Sequence, residues 1–294
     1  MTIDLDLLLK AYASGIFPMS DARDDPETFW VEPKTRAILP LDGFHMSRSL
    51  RKTIRSDRFL VTADTAFAEV ISICAESASD REETWINAEI EEAFCALHEK
   101  GHAHSVECWT IDGEGNKMLV GGLYGLEIGG AFCGESMFSR TRDASKVALA
   151  WVVARLIVGG YSLLDCQFMT DHLASLGAIE ISQSEYIKRL RAAQAPYSPV
   201  LAEIRSSSVS TASGAARGVV SGTGRTAGGE AAGGVVGTGA TVPDPLLSAP
   251  SFSVLDGLLP RLEDDERGSV ASAAPSGASA SPGKLISQLL TQTS

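Results

Sequence analysis

Hydrophobic positions recur at helical spacing in several stretches of the chain, and each stretch predicts a helix. Leu5, Leu8, Leu9 and Tyr12 fall on one face of the first predicted helix, which Gly15 ends. The same pattern predicts further helices at 47–56, 64–77, 87–101, 144–160, 171–178 and 184–193.

Alternating or continuous apolar runs predict the strands between these helices. The runs lie at 29–39, 58–62, 103–111, 117–128, 130–138, 162–169 and 178–182. Most of the strands precede the long helix at 144–160 and two follow it, an order that favours an α+β fold with a mixed sheet. We expect a small N-terminal domain at 1–60 and a larger domain at 61–200.

The pattern ends near residue 200, where Ser, Gly and Ala begin to dominate the sequence. Such a segment cannot bury enough apolar surface to offset the entropy of ordering it, so we predict a low-complexity, disordered tail at 201–294. Two pieces of it, SVLDGLLPRLEDDE and KLISQLLTQ, are candidates for short helices that form transiently or on a partner. Removal of the tail is expected to leave activity largely intact.

Composition narrows the class of protein. The 294 residues carry a net charge of −12, and the mean hydropathy of +0.07 is typical of a globular protein. The sequence has no apolar run of about 18 residues and no basic start of a signal peptide, so we expect a cytoplasmic protein without a membrane span. Five scattered cysteines without CxxC spacing favour reduced thiols. No heptad or repeated apolar patch is present, so a monomer is expected.

The predicted strand at 162–169 carries two polar side chains in an otherwise apolar segment. Alternation places Asp165 and Gln167 on one face and Leu164 on the other. Burial of either polar group without a partner costs on the order of a few kcal/mol. Two explanations therefore stay open: the pair serves chemistry, or it has a structural role, in which it satisfies backbone groups at a sheet edge or pairs with His172.

Other candidate groups are less specific. Glu135 ends a strand before the long helix, where an acidic residue is commonly structural. His102 and His104 share a strand face, but no third ligand stands at a suitable spacing, so we expect no metal site. The sequence also lacks GxSxG and GxxxxGK[ST] motifs, which argues against a serine hydrolase and a P-loop enzyme.

The densest basic cluster lies in the predicted helix at 47–56. Arg48, Arg51, Lys52 and Arg55 stand at i, i+3, i+4 and i+7, so they share one face. A solvated charged face is the ordinary explanation. In a chain of net charge −12, the cluster favours contact with a phosphate backbone.

Eight stretches in chain order resemble one known family. They are AYASGIFPM, FWVEPKTRAILP, FHMSRSL, TWINAEIEEA, GHAHSVECW, LVGGLYG, FCGESMFSRTRDASKVAL, and LLDCQF followed by DHLASLGA. Together they resemble the leucyl/phenylalanyl-tRNA–protein transferases over nearly all of residues 1–195. The tail has no part in this resemblance.

The resemblance implies an activity and a fold. Enzymes of this family act in the bacterial N-end rule pathway. They transfer Leu or Phe, and also Met, from aminoacyl-tRNA to an N-terminal Arg or Lys of an acceptor protein, which is then degraded. The resemblance also implies a catalytic domain of the acetyltransferase superfamily fold behind a small N-terminal domain. No cofactor and no ATP are needed, because the aminoacyl ester is already activated.

The resemblance assigns Asp165, Gln167 and Glu135 to catalysis. We expect Gln167 to contact the attacking α-amine and Asp165 to orient it or to help its proton move. Support of the tetrahedral intermediate is an alternative role for both residues. Glu135 is expected to attract the cationic side chain of the acceptor.

Binding residues follow from the same resemblance. Trp85 corresponds to a tryptophan near the 3′-terminal adenosine of the tRNA. Arg55 corresponds to the tRNA-contacting surface, and helical spacing extends this surface to Arg48, Arg51 and Lys52. The family's aminoacyl pocket corresponds to Leu123, Phe132, Met137, Leu149, Val152, Leu156 and Leu164.

The chain departs from the family pattern at a few positions, and two other functions are less consistent with its sequence. Met19 stands where the family often has Trp, and Val152 and Leu156 replace aromatic residues of the pocket, which leaves the preference between Leu and Phe open. An acetyl-CoA-dependent acetyltransferase is disfavoured, because SRTRDASKVAL opens its helix without the glycines that bind pyrophosphate. A binding adaptor without turnover is disfavoured by the intact set of Asp165, Gln167 and Glu135.

Overall fold

The computed structural model describes residues 3–76, 84–195, 250–259 and 281–293. Its N-terminal helix α1 (Leu5–Ala13) is capped by Asp4, whose side chain accepts a hydrogen bond from the Leu7 amide. Strands β1 (Phe17–Met19) and β2 (Phe29–Val31) follow and form a small antiparallel sheet of their own.

The remaining elements agree closely with the sequence pattern. The helices are α2 (Arg48–Arg55), α3 (Phe67–Cys74), α4 (Ala88–Glu99), α5 (Ala144–Val158), α6 (Asp171–Ser175) and α7 (Gln183–Gln194). The strands are β3 (Thr35–Ile38), β4 (Leu60–Ala63), β5 (Ala103–Ile111), β6 (Lys117–Ile128), β7 (Ala131–Ser139), β8 (Leu163–Gln167) and β9 (Ile179–Ser182).

These strands form a seven-stranded sheet in the order β4-β5-β6-β7-β8-β3-β9. Neighbours pair antiparallel except β7 and β8, which are parallel and are connected through α5. The mixed α+β fold predicted from the sequence is therefore confirmed. Strand β3 lies inside this sheet, where it pairs with β8 and β9. The predicted division into domains at 1–60 and 61–200 stays a prediction.

The two faces of the sheet carry different helices. On β6 and β7, Leu123 and Phe132 belong to the apolar cluster that contains α5, while Tyr124 and Cys133 belong to the cluster of α1, α3 and α4. Neighbouring residues of a strand thus point to opposite cores, as the pleat requires. Among the described residues, no helix is long and apolar enough to cross a membrane.

Two pieces of the predicted tail are ordered, which corrects the prediction of disorder for them. A 3-10 helix (Phe252–Gly257) packs on α5, and helix α8 (Pro282–Gln292) packs on α2 and α5. Their buried side chains enter the same core as α5, so the tail contributes apolar surface that its composition conceals; they are Phe252, Leu255, Ile286 and Leu290. The disorder predicted for 201–249 and 260–280 lies outside the described residues.

Candidate active site

The candidate site lies where the two parallel strands β7 and β8 separate. Their pairing runs from Ala131↔Leu163 to Cys133↔Asp165 and then ends. Beyond this point the strands leave room for two adjoining cavities, of about 280 Å³ and about 70 Å³. Both cavities are lined by Glu135, Met137 and Cys166, so they adjoin at these residues.

Asp165 is fully buried beside this opening and is saturated with hydrogen bonds. Its Oδ1 accepts from Arg36 Nε at 2.8 Å and from the Gln167 amide at 2.9 Å. Its Oδ2 accepts from Arg36 Nη2 at 2.6 Å and from the Tyr186 hydroxyl at 2.8 Å. The alternative of a pair with His172 is therefore wrong for this carboxylate, because Arg36 and Tyr186 occupy it.

Gln167 ends β8 in a left-handed backbone conformation, with φ of 53°. This conformation is uncommon for a residue with a side chain, and the hydrogen bond from the Gln167 amide to Asp165 stabilises it. The Gln167 side chain donates from Nε2 to Glu135 Oε1 at 3.1 Å. The amide oxygen Oε1 is left to accept a hydrogen bond from a ligand in the larger cavity, which Gln167 lines.

Glu135 has an unusual electrostatic environment for an acid at a cavity wall. Burial and the charge of Asp165 raise its pKa, while the Tyr12 hydroxyl and the Arg36 charge lower it, and the result is a pKa of about 8. The Tyr12 hydroxyl is buried and has no hydrogen-bond partner of good geometry among the described residues. At pH 7 a carboxyl with this pKa is mostly neutral, and it becomes charged as the pH rises through its pKa.

The smaller cavity is apolar and lies on the α5 side of the sheet. Four of the seven predicted pocket residues line it, namely Leu123, Met137, Leu149 and Leu164. The other three, Phe132, Val152 and Leu156, are completely buried in the adjacent core and do not line it. The structure therefore divides the predicted pocket into a lining and a supporting layer.

The larger cavity is bordered by aromatic and aliphatic side chains of the N-terminal segment. Phe17 and Met19 of β1 line it together with Trp85, the residue predicted to lie near the terminal adenosine. Phe168 follows Gln167 and packs edge-on against Phe17, with ring centroids 5.7 Å apart. His172 also lines this cavity, and burial together with the Lys146 charge lowers its pKa.

The predicted basic face on α2 forms as its spacing indicates. Ser47 caps the helix, and Leu50 and Ile54 face the core. The opposite side carries four exposed cations that together border one open groove of about 440 Å³: Arg48, Arg51, Lys52 and Arg55. None of the four forms an ion pair with a residue that the structure describes, so their charge is available to a partner.

Histidine–carboxylate pairs occur away from the site. His104 Nδ1 lies 2.8 Å from Asp64 Oδ2, and its Nε2 lies 3.6 Å from Glu127. Burial lowers the pKa of His104, but these two acids raise it to about 9. Within the described ranges, no group of three or more His, Cys, Asp or Glu side chains is arranged to hold a metal ion. The expected lack of a metal stays a prediction.

Comparison with known proteins identifies the family. A model of the leucyl/phenylalanyl-tRNA protein transferase family matches residues 38–191, and a model of the N-terminal domain of the same family matches residues 1–34. The first match covers more than half of the chain. The chain belongs to the leucyl/phenylalanyl-tRNA–protein transferase family.

Relatives that carry this family name match about two thirds of the chain. The protein of Zymomonas mobilis is 63% identical over 195 residues, which are 66% of this chain and 71% of the relative. The protein of Rhizorhabdus wittichii is 64% identical over 188 residues, 64% of this chain and 74% of the relative. Among solved structures, FemX is 11% identical with a TM-score of 0.42, over 60% of this chain and 66% of that one.

Several residues of this transferase site were missed by reasoning from the sequence. Arg36 is buried, although arginine is usually exposed, and its partner Asp165 is 129 residues away in the chain. Tyr186 was assigned only to a helix. The local signal for Arg36 is its place inside the predicted strand at 29–39, directly before the apolar residues 37–39.

Proposed function

We propose that this transferase moves Leu or Phe, and also Met, from aminoacyl-tRNA to the N-terminal Arg or Lys of acceptor proteins. The observation that carries the proposal is the Gln167–Glu135 hydrogen bond at the junction of an apolar cavity and a wider one. Family membership supports the choice of substrates. The product would enter degradation by the N-end rule pathway in the cytoplasm.

The proposed chemistry is aminolysis of an ester. The α-amine nitrogen of the acceptor attacks the aminoacyl carbonyl carbon, a new amide bond forms, and the ester bond to the terminal ribose breaks. One proton leaves the amine and one is taken up by the ribose oxygen. An α-amine has an unperturbed pKa of about 7.7–8.0, so part of it is neutral at cytoplasmic pH and correct placement is the main requirement.

Gln167 is proposed to place the attacking amine. Its Nε2 is engaged by Glu135, so Oε1 faces the amine as an acceptor. Asp165 is fully buried and accepts four hydrogen bonds, which supports an orienting role and argues against direct proton transfer from the substrate. Glu135 would attract the cationic side chain of the acceptor once it is ionised.

The smaller cavity is proposed to receive the aminoacyl side chain. Its lining of Leu123, Met137, Leu149 and Leu164 suits unbranched or γ-branched apolar groups. Phe132, Val152 and Leu156 would determine its shape from the layer behind. Discrimination at the scale of one methylene is worth only about 1–3 kcal/mol, so transfer of Met alongside Leu and Phe is expected.

The tRNA is proposed to bind along α2 and to place its 3′-terminal adenosine beside Trp85. The exposed cations of α2 supply contacts to phosphates without reading sequence. We further propose that the catalytic domain has the acetyltransferase superfamily fold, which the separation of the parallel strands β7 and β8 supports. We also propose that the protein is a monomer.

A panel of donors and acceptors tests this proposal. Leu-, Phe-, Met- and Ile-tRNA are each mixed with peptides that begin with Arg, Lys or Ala, and the products are measured by mass spectrometry. We expect transfer from the first three donors to the Arg and Lys peptides. Equal transfer to the Ala peptide, or micromolar binding of acetyl-CoA with acetylation of the peptides, would contradict the proposal.

A further inference from the structure

Arg36 is a buried cation whose surroundings fix its position. It is 1% exposed, and Phe17 and Tyr186 place their rings 4.6 Å and 4.4 Å from its guanidinium carbon. Besides the two bonds to Asp165, Nη1 donates to the Gly15 carbonyl at 3.0 Å. Burial lowers the pKa of Arg36, but the hydrogen bonds and the charge of Asp165 outweigh this effect and raise the pKa above its usual value. The guanidinium therefore stays charged.

A buried ion pair of this kind is weak evidence for stability. The desolvation of two charges commonly offsets their attraction, and well-packed apolar side chains of similar volume can be equally stable. What the pair does provide is geometry, because a bidentate arginine fixes both oxygens of a carboxylate in one plane. The consequence must therefore be sought in what else the Asp165 carboxylate holds.

The carboxylate holds the backbone of Gln167. Oδ1 of Asp165 accepts from both Arg36 Nε and the Gln167 amide, and Oδ2 accepts from Tyr186. A non-glycine residue in a left-handed conformation is strained, and it persists only where its surroundings hold it there. A rotation of the Asp165 carboxylate would release the Gln167 amide and move its side chain away from Glu135.

We propose that Arg36, assisted by Tyr186, is a positioning residue that acts through Asp165 to hold Gln167 in its catalytic conformation. The inference rests on the proposed function of Gln167 but concerns a different set of residues. Arg36 and Tyr186 do not contact substrate in this account. Their contribution is to the placement of the Gln167 amide.

A double-mutant cycle tests this inference. Arg36→Lys loses the bidentate contact and should lower kcat roughly 100-fold, and Tyr186→Phe loses one hydrogen bond and should lower it roughly tenfold, with KM for Leu-tRNA unchanged. In a Gln167→Ala background both effects should disappear, because the residue through which they act is absent. Tyr161→Phe is the matched control. It removes a buried hydroxyl that donates to Glu127, away from the site, and should keep wild-type activity.

Undiminished fold-changes in the Gln167→Ala background would overturn the inference. Amide hydrogen exchange at Gln167 provides a readout independent of turnover. It should be faster in Arg36→Lys and Tyr186→Phe than in the wild type and in Tyr161→Phe. Unchanged exchange would refute the positioning role even if transfer itself failed, and Tyr186→Phe carries the test if Arg36→Lys does not fold.

Discussion

At the residue scale, the candidate site contains a carboxyl group, Glu135, that burial keeps mostly neutral at pH 7. Glu135 is expected to be neutral below its pKa of about 8 and charged above it, owing to burial and the neighbouring Asp165. An acceptor side chain of Arg keeps its charge throughout this range. Ionisation of Glu135 should therefore strengthen binding of the acceptor as the pH rises.

Acceptor binding between pH 6.5 and 9 checks this expectation. The Kd of a peptide with N-terminal Arg, measured by calorimetry without aminoacyl-tRNA, should fall roughly tenfold over this range. Titration of the peptide α-amine contributes to both proteins alike, so Glu135→Gln serves as the control and should lose most of the dependence. An equal pH dependence in Glu135→Gln would show that another group is responsible.

The size of the smaller cavity gives a second prediction at this scale. Leu149→Phe fills space in the cavity and should lower kcat/KM for Phe-tRNA about tenfold more than for Leu-tRNA, since the larger side chain loses more room. Steady-state kinetics with both donors measure the ratio. Ile157→Val, on the same helix but outside both the lining and the layer behind it, should leave the ratio within about twofold.

The position of Asp165 and Gln167 next to each other on β8 could be predicted from the sequence, but the contacts that hold them could not. Asp165 and Gln167 stood out because two polar groups interrupt an apolar strand, and alternation correctly separated them from Leu164. The role of Arg36 could not be predicted, because its partner Asp165 lies on a strand 129 residues later and no local pattern connects the two. The left-handed backbone of Gln167 was equally hidden, since it follows from that contact.

At the element scale, α2 has two faces with separate tasks. Leu50 and Ile54 pack under the C-terminal helix α8, where the Gly283 amide donates to Asp57 at 2.7 Å. The other face carries the exposed cations. Attachment of the helix to the core therefore keeps those cations in a fixed array.

Removal of one cation from this array should weaken tRNA binding without affecting chemistry. We expect Arg51→Ala to raise KM for Leu-tRNA several-fold and to reduce the salt dependence of binding by about one phosphate contact. Filter binding at several salt concentrations measures the slope. Lys188→Ala removes an exposed cation on α7 and serves as the control. An equal loss of tRNA binding in this variant would mean that only the net charge of the protein matters, and not the position of the cation on α2.

The 3-10 helix supports α5 from behind. The Phe252 ring stacks on the Phe132 ring, with centroids 5.3 Å apart. The backbone carbonyl of Phe252 accepts a hydrogen bond from the buried Arg155, which also donates to Asp256. Truncation after residue 200 would leave Arg155 without these partners and would expose Phe132. The expectation that the whole tail is dispensable is therefore replaced by one of lost stability.

Substitution at Phe252 tests this role of the tail. Phe252→Ala should lower the free energy of unfolding by about 3–5 kcal/mol, the usual cost of removing a buried aromatic ring. Leu258→Ala, at an exposed position directly after the 3-10 helix, should change it by less than about 0.5 kcal/mol. Urea denaturation compares the two, and equal effects would show that the segment is not packed as described.

At the scale of the whole molecule, local patterns predicted the elements and tertiary contacts decided their use. Every predicted helix and strand of the region up to residue 195 has a counterpart in the structure. The insertion of β3 between β8 and β9 was not foreseeable, because strand order depends on contacts far apart in sequence. The packing of the two C-terminal helices on the core could not be predicted, because the surrounding sequence is rich in Ser, Gly and Ala and its few apolar residues give no sign of a partner.

As a whole, the enzyme is expected to act on two substrates together, an aminoacyl-tRNA and an acceptor peptide. Charged Leu-tRNA and a peptide with N-terminal Arg are incubated with the protein without ATP, and the peptide is weighed by mass spectrometry. The account predicts one Leu added to the α-amine by the wild type, and at least about 100-fold slower addition by Gln167→Ala. An unmodified peptide with the wild type, or equal rates in both proteins, would contradict it.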